Sequence, residues 1–154
     1  MMNRREAVIR LGAAAGAALV LPRTFGGQAK VAIVVYKDPS CGCCSKWVEH
    51  LQANGFMVSV KETTNIEPIK EKYQVRPELR SCHTAVVGGY AIEGHVPAAD
   101  IKKLLAAKPK GVIGLTIPGM PASAPGMDGK PFVPFTVLTF DARGTTAIFA
   151  EHKA

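Results

Sequence analysis

All four cysteines of the 154-residue chain are soft donors, and three of them crowd into Cys41-Gly42-Cys43-Cys44. The fourth, Cys82, stands in Ser81-Cys82-His83-Thr84. Three chemistries compete for these thiols. Structural disulfides suit an oxidising compartment, although adjacent Cys43 and Cys44 pair with each other only under strain and three thiols in four residues staple little chain. Cys41 and Cys44 have the spacing of the C-x-x-C pair of a thiol–disulfide oxidoreductase, which the extra Cys43 and the lack of the usual cis-proline count against. The third chemistry is metal binding. Four thiolates suit zinc in number, but consecutive helical residues diverge by roughly 100°, so Cys43 and Cys44 are poorly placed as two corners of one tetrahedron. Diverging thiolates can instead bridge several ions, and Cu(I) is the ion that soft sulfur ligands select.

Further candidate donors lie outside the cysteines. Met120 and Met127 sit in the Pro/Gly loop Gly119-Met120-Pro121-Ala122-Ser123-Ala124-Pro125-Gly126-Met127, where each is either a packing anchor or a copper ligand. His83 adjoins Cys82 and either binds metal or orients the loop. His95 follows Gly94 as a weaker candidate, and Met57 is expected in the core. His50 and His152 are expected on the solvated surface, and Lys102, Lys103, Lys108 and Lys110 on a solvated helix face. No general acid–base pair, phosphate loop or nucleophile–His–acid set is evident, so any enzymatic activity would be metal- or thiol-based.

The elements that must position these groups follow from periodicity. Lys30 to Tyr36 is a β-branched run that reads as a fully buried strand ending at Asp38-Pro39. Cys44, Trp47, Val48 and Leu51 recur at helical spacing, stopped by Asn54-Gly55. Phe56 to Val60 is a second strand. Asn65 caps a short helix through Tyr73 with Ile66, Ile69 and Tyr73 inward. Thr84 to Val87 turns through Gly88-Gly89 into Tyr90 to Ile92, and Pro97 to Ala107 is an amphipathic helix. The order β-α-β-α-β-β-α is that of a thioredoxin-like domain. Its cysteine loop lies between the first strand and first helix, with Cys82 delivered to the same site from the loop before the third strand. Residues 110–130 form a Gly/Pro-rich, methionine-bearing loop, followed by a C-terminal hairpin, Phe132 to Phe140 with Thr145 to Glu151, that extends or covers the sheet.

Hydrophobic residues at 47% and charged residues at 20% give a chain with a core to bury. Aromatics are only 6%, with one Trp, too few for a base-stacking or carbohydrate platform. Of the net charge of +7, the first 29 residues hold four arginines against one glutamate, leaving +4 for residues 30–154. That mildly basic surface is no nucleic-acid footprint. Residues 1–29 read as an export signal: a basic start, the apolar run Leu11 to Leu21, and the small-residue site Gly27-Gln28-Ala29. Eleven apolar residues fall short of the about 20 that span a bilayer. Asn3-Arg4-Arg5-Glu6-Ala7 resembles a twin-arginine signal, with Ala7 where a bulky residue is usual; a general secretory signal is the alternative. Either places residues 30–154, one domain, in the periplasm without a stable membrane anchor after cleavage.

Taken together, Tyr36-Lys37-Asp38-Pro39-Ser40-Cys41-Gly42-Cys43-Cys44 with Trp47, Ser81-Cys82-His83-Thr84, Gly94-His95-Val96-Pro97 and the double Gly-Met loop resemble a family of periplasmic metal-binding proteins long labelled a domain of unknown function, the family of the copper-resistance protein CopG. The resemblance spans nearly all of residues 30–151. It implies a thioredoxin-like fold, copper held through Cys41, Cys43, Cys44 and Cys82, and a part in copper tolerance, with Met120 and Met127 carried over from the matching loop. The expected partners are copper ions, as Cu(I) with several ions per cluster, and a periplasmic copper donor or acceptor protein. The alternative function is a periplasmic thiol–disulfide oxidoreductase using Cys41 and Cys44.

Overall fold

The computed structural model describes residues 30–154; the expected export signal lies outside the described residues. Strand β1 (Val31–Lys37) runs into helix α1 (Gly42–Ala53), and β2 (Phe56–Glu62) returns parallel to β1. Helix α2 (Glu67–Lys72) and a 3-10 turn (Pro77–Leu79) lead to β3 (His83–Val87) and β4 (Tyr90–Glu93), then to helix α3 (Ala98–Ala107). This is the anticipated β-α-β-α-β-β-α order. Strands β5 (Val112–Thr116), β6 (Phe135–Asp141) and β7 (Thr146–His152) complete one sheet in the order β2-β1-β3-β4-β5-β6-β7. Among the described residues no helix is long and apolar enough to cross a membrane.

The helices close both faces of the sheet. Trp47, Val48 and Leu51 of α1 and Ala98, Ile101 and Leu104 of α3 share one core with Ile33, Val35, Ala85, Val87, Ile92 and Leu115. A smaller core on Val75, Leu79, Ala91 and Phe140 forms separately. It does not reach β1, so β1 alternates between buried and half-exposed residues instead of being buried throughout. Met57 likewise points out from the edge strand β2, 58% exposed, rather than into the core. In α2 the expected inner residues Ile66 and Ile69 are only half-buried, and the fully buried side chain is Lys70.

The hairpin turn uses Gly88 and Gly89, both with positive φ (56° and 87°), the backbone that a two-residue β-hairpin turn demands. Strand β5 falls inside what reads from sequence as loop, because Gly114 interrupts its β-branched pattern. That glycine is buried, and a Cβ there would meet the Ala91 carbonyl and the Phe140 ring, whose Cε1 would be 2.6 Å away. Gly114 thus lets Phe140 of β6 lie flat against β5, and the C-terminal hairpin extends the sheet through that contact. Gly114→Ala is expected to destabilise the fold by about 3 kcal/mol, the upper range for overpacking. Gly42→Ala, with nothing within 4 Å of its added methyl, should leave the urea midpoint unchanged or raise it.

Candidate metal centre

Cys41 caps α1 with an extended backbone (φ −74°, ψ 91°), and Cys43 and Cys44 occupy the first helical turn. This break from helical geometry at the cap lets the thiols converge. The four Sγ atoms of Cys41, Cys43, Cys44 and Cys82 all lie within 4.8 Å of one another, so the divergence anticipated between Cys43 and Cys44 does not keep them apart. Cys82 Sγ stands 3.5 Å from Cys41 Sγ and 3.6 Å from Cys44 Sγ, and Cys43 Sγ is 3.7 Å from Cys41 Sγ. Cys41 and Cys44 are joined as a disulfide, leaving Cys43 and Cys82 as free thiols. Although Cys82 is exposed as a residue, withdrawal of its sulfur from water raises its thiol pKa. The Cys43 thiol adds to the rise, and the Lys70 ammonium pulls the other way.

His83 is the inward neighbour of this cluster. Because β3 alternates its side chains, His83 faces α1 while Thr84 faces the opposite side of the sheet. His83 Nε2–H donates to the Gly94 carbonyl at 3.1 Å, and a carbonyl can only accept. The other nitrogen, Nδ1, therefore carries a bare lone pair in the neutral ring. It looks at Cys44 Sγ (3.4 Å) and Cys82 Sγ (3.6 Å). Burial lowers the His83 pKa to about 3, with the neighbouring His95 pulling the same way, so the ring is neutral near neutral pH. A histidine whose second nitrogen is tied to a carbonyl is oriented as metal-binding histidines are.

The loop after β4 completes the inner wall. Trp47 Nε1–H donates to the Val96 carbonyl at 2.9 Å, tying α1 to the segment that carries His95. The Trp47 and His95 rings stack with centroids 5.9 Å apart, and the His83 and His95 centroids are 5.2 Å apart. His95 is fully buried, and neither ring nitrogen has a hydrogen-bond partner, a cost of about 1–3 kcal/mol per unpaired group. Burial lowers its pKa, while the Pro125 carbonyl draws it upward from a position outside hydrogen-bond geometry. Ligand atoms of Cys44, His83 and His95 also lie within 4.8 Å of one another.

The two methionines occupy different settings. Met120 adopts a positive φ of 45°, and its Sδ would be 3.4 Å from a Cβ added at Gly94, the residue whose carbonyl accepts from His83. Met127 packs against the main core, next to Gly126, where a Cβ would come within 2.8 Å of Trp47 N. The histidines expected at the surface are structural: His50 Nε2 accepts from Ala98 N–H at 3.1 Å and so caps α3, and His152 pairs with Asp100 at 2.7 Å and stacks on Phe135. Lys102 and Lys103 are exposed, lying over the Phe56 and Phe149 rings.

Beneath the sheet lies a group that sequence periodicity misses. Lys70 Nζ and Glu93 Oε2 are 2.8 Å apart at 1% and 0% side-chain exposure. Lys70 also donates to Thr84 Oγ1 (2.9 Å) and the His83 carbonyl (3.3 Å), and Ser81 N–H donates to Glu93 Oε2 (2.8 Å). Ser81 Oγ accepts from Gly94 N–H at 2.9 Å, and its own proton is within reach of the His83 carbonyl at 2.7 Å. The residues on both sides of Cys82 are therefore held by one buried ion pair.

Fold and site together define an α/β protein with a sulfur–imidazole cluster able to hold a soft metal ion. The family described as a protein of unknown function, DUF411, matches residues 79–127. Two solved structures, "Copper resistance protein copG- Form 1" and "Form 2", are each 38% identical to the chain with a TM-score of 0.74. They align over 81% and 80% of this chain and 99% of their own length. No curated protein matched the chain. The chain belongs to the family of the copper resistance protein CopG.

Lys70→Met strands the Glu93 charge in the interior and is expected to cost about 3–5 kcal/mol. Adding Glu93→Gln should recover part of that loss, since the amide oxygen still accepts from Ser81 while the lone charge is gone. Urea unfolding of the oxidised protein measures both.

Proposed function

We propose that the protein is an exported, periplasmic copper-binding protein that holds Cu(I), several ions per chain, in its cysteine cluster and contributes to copper tolerance. The observation that carries this reading is the convergence of four sulfurs and the lone pair of His83 Nδ1 at one end of the sheet. Four sulfurs at this spacing would also suit zinc by number, but the solved relatives are copper resistance proteins and clustered thiolates prefer Cu(I) among the ions of that chemistry. A role outside the cytoplasm is supported by the leader-like residues 1–29 and by the Cys41–Cys44 disulfide. Copper itself would be cargo, received from and passed to periplasmic partner proteins. The cluster also suits redox cycling: two thiolates reduce two Cu(II) ions to Cu(I) and become one disulfide, so charge and electrons balance within the site.

A thiol–disulfide oxidoreductase is the second reading, favoured by one observation. The Cys41–Cys44 disulfide sits at the start of α1, with the free Cys82 thiol 3.5 Å from Cys41. Anaerobic Cu(I) titration of the reduced protein against a competing chelator separates the two. Copper cargo predicts tight uptake of more than one ion per chain, lost on Cys43→Ser. Disulfide exchange predicts weak copper affinity and insulin reduction that survives Cys43→Ser.

Of the two loop methionines, Met120 is the proposed thioether donor, and Met127, packed against the main core, anchors the loop. Met120→Leu is expected to weaken Cu(I) uptake with the melting temperature unchanged. Met127→Leu, a volume-conserving swap at the core, should cost under about 1.5 kcal/mol and leave uptake intact. Titration and thermal melts on the two single variants check this.

A further inference from the structure

We infer that the protein carries a second binding site, remote from the sulfurs, for a soluble monocarboxylate with a hydrocarbon body. The site is a cavity of about 350 Å³ at the start of β1, where Lys30, Val31, Phe56, Lys102 and Leu105 meet the turn that ends α1. From here β1 runs to the cysteine loop at its other end, so the two sites lie at opposite poles. The inference is independent of the copper-cargo reading.

The floor of the cavity is core left uncovered. Val31 shares a sheet face with Ile33 and Val35, because side chains alternate along a strand. Those two are 1% and 0% exposed in the main core, yet Val31 is 39% exposed. Helix α1 stops short of it: Asn54 ends the helix, and Gly55, with φ 86°, turns the chain into β2. Leu105 of α3 forms a wall, packed on the main core and against the Gly88 turn, where an added Cβ would come within 2.8 Å of its Cδ2. An apolar cavity of this size falls within the range of small-molecule sites, and a hydrocarbon laid on the floor removes both surfaces from water.

The rim sets the sign of the ligand. Lys30 and Lys102 are both exposed, and no acidic side chain lines the cavity among the described residues. Neither lysine takes part in an ion pair among those residues. Lys102 Nζ lies 5.8 Å from the centre of the Phe56 ring, above the apolar floor. The C-terminal end of a helix is a negative pole that repels anions. In α1 that pole is muted, because Asn54 Nδ2 donates to the His50 carbonyl at 2.8 Å and Gly55 N–H to the Gln52 carbonyl at 3.0 Å. Two unpaired ammonium groups over an apolar floor complement a carboxylate head on a hydrocarbon tail, whereas a cation of the same shape meets two like charges.

The test uses the metal-free, oxidised protein without an N-terminal tag and decanoate as the probe, read by calorimetry and by the NMR amide shifts of Val31, Gly55 and Leu105. Decanoate should move those three amides and leave Cys43 and Cys82 in place. Affinity should rise from hexanoate to decanoate, by up to about fourfold per methylene while the cavity has room. Decyltrimethylammonium, the same chain on a cation, should move none of them. Lys30→Gln and Lys102→Gln should each weaken decanoate about threefold, the effect of one exposed ion pair. Val31→Glu, which sets a carboxylate on the floor, should abolish binding; if that variant does not fold, the wild-type comparisons decide alone. No shift with decanoate, shifts confined elsewhere, equal shifts with the cation, or an affinity flat across the chain series overturns the site and leaves the copper reading untouched.

Discussion

A lysine ammonium and a glutamate carboxylate shut beneath a β-sheet must stay together, because neither can reach water and either alone would be an uncompensated charge. Lys70 and Glu93 are in that position, and what they hold is the short path from Ser81 to Thr84. Strand β3 begins inside this path. Its alternation turns Thr84 toward the ion pair and His83 toward the thiols, so one anchor on the far face sets two donors on the near face. The strength of such a pair lies in its penalty for being broken, which suits a loop whose backbone has to keep Cys82 at a fixed distance from a disulfide.

On the near face, α1 answers with a complementary constraint. Its cap is Cys41, its first turn carries Cys43 and Cys44, and its second carries Trp47, whose indole N–H reaches across to the Val96 carbonyl. The segment from Gly94 to Pro97 is thereby pinned from both sides, by Ser81 at Gly94 and by Trp47 at Val96. His95 lies between the pins. The loop with Met120 and Met127 then closes over this junction, Gly126 pressed against the backbone of α1.

Much of this arrangement was legible in the chain. The cysteine spacing, the apolar stripe of α1 and the Gly88-Gly89 turn are local patterns, and local patterns dictate local structure. The meeting of Cys82 with Cys41 and Cys44 follows once the element order is known. The features that local patterns do not carry are tertiary. Nothing local marks Lys70 as buried, because its partner is 23 positions away. Strand β5 hides behind Gly114, whose bareness is explained only by Phe140 in a later strand. Met57 looks like core because strand periodicity cannot tell which face of an edge strand has a neighbour. His50 and His152 are polar and therefore look exposed, yet each is consumed by a cap or a stack that only the tertiary structure supplies. The Cys41–Cys44 bond was one of several open pairings until the cap geometry of α1 brought those two sulfurs together.

The direction of β1 has a practical reading. It runs seven residues, about 20 Å, from Val31 to Lys37 before the chain reaches the first cysteine. Anything fused or immobilised ahead of Lys30 thus joins the molecule at the pole opposite its sulfurs. A surface-grafted or tethered form would display its reactive end outward, and a bulky N-terminal tag would leave traffic at that end unhindered.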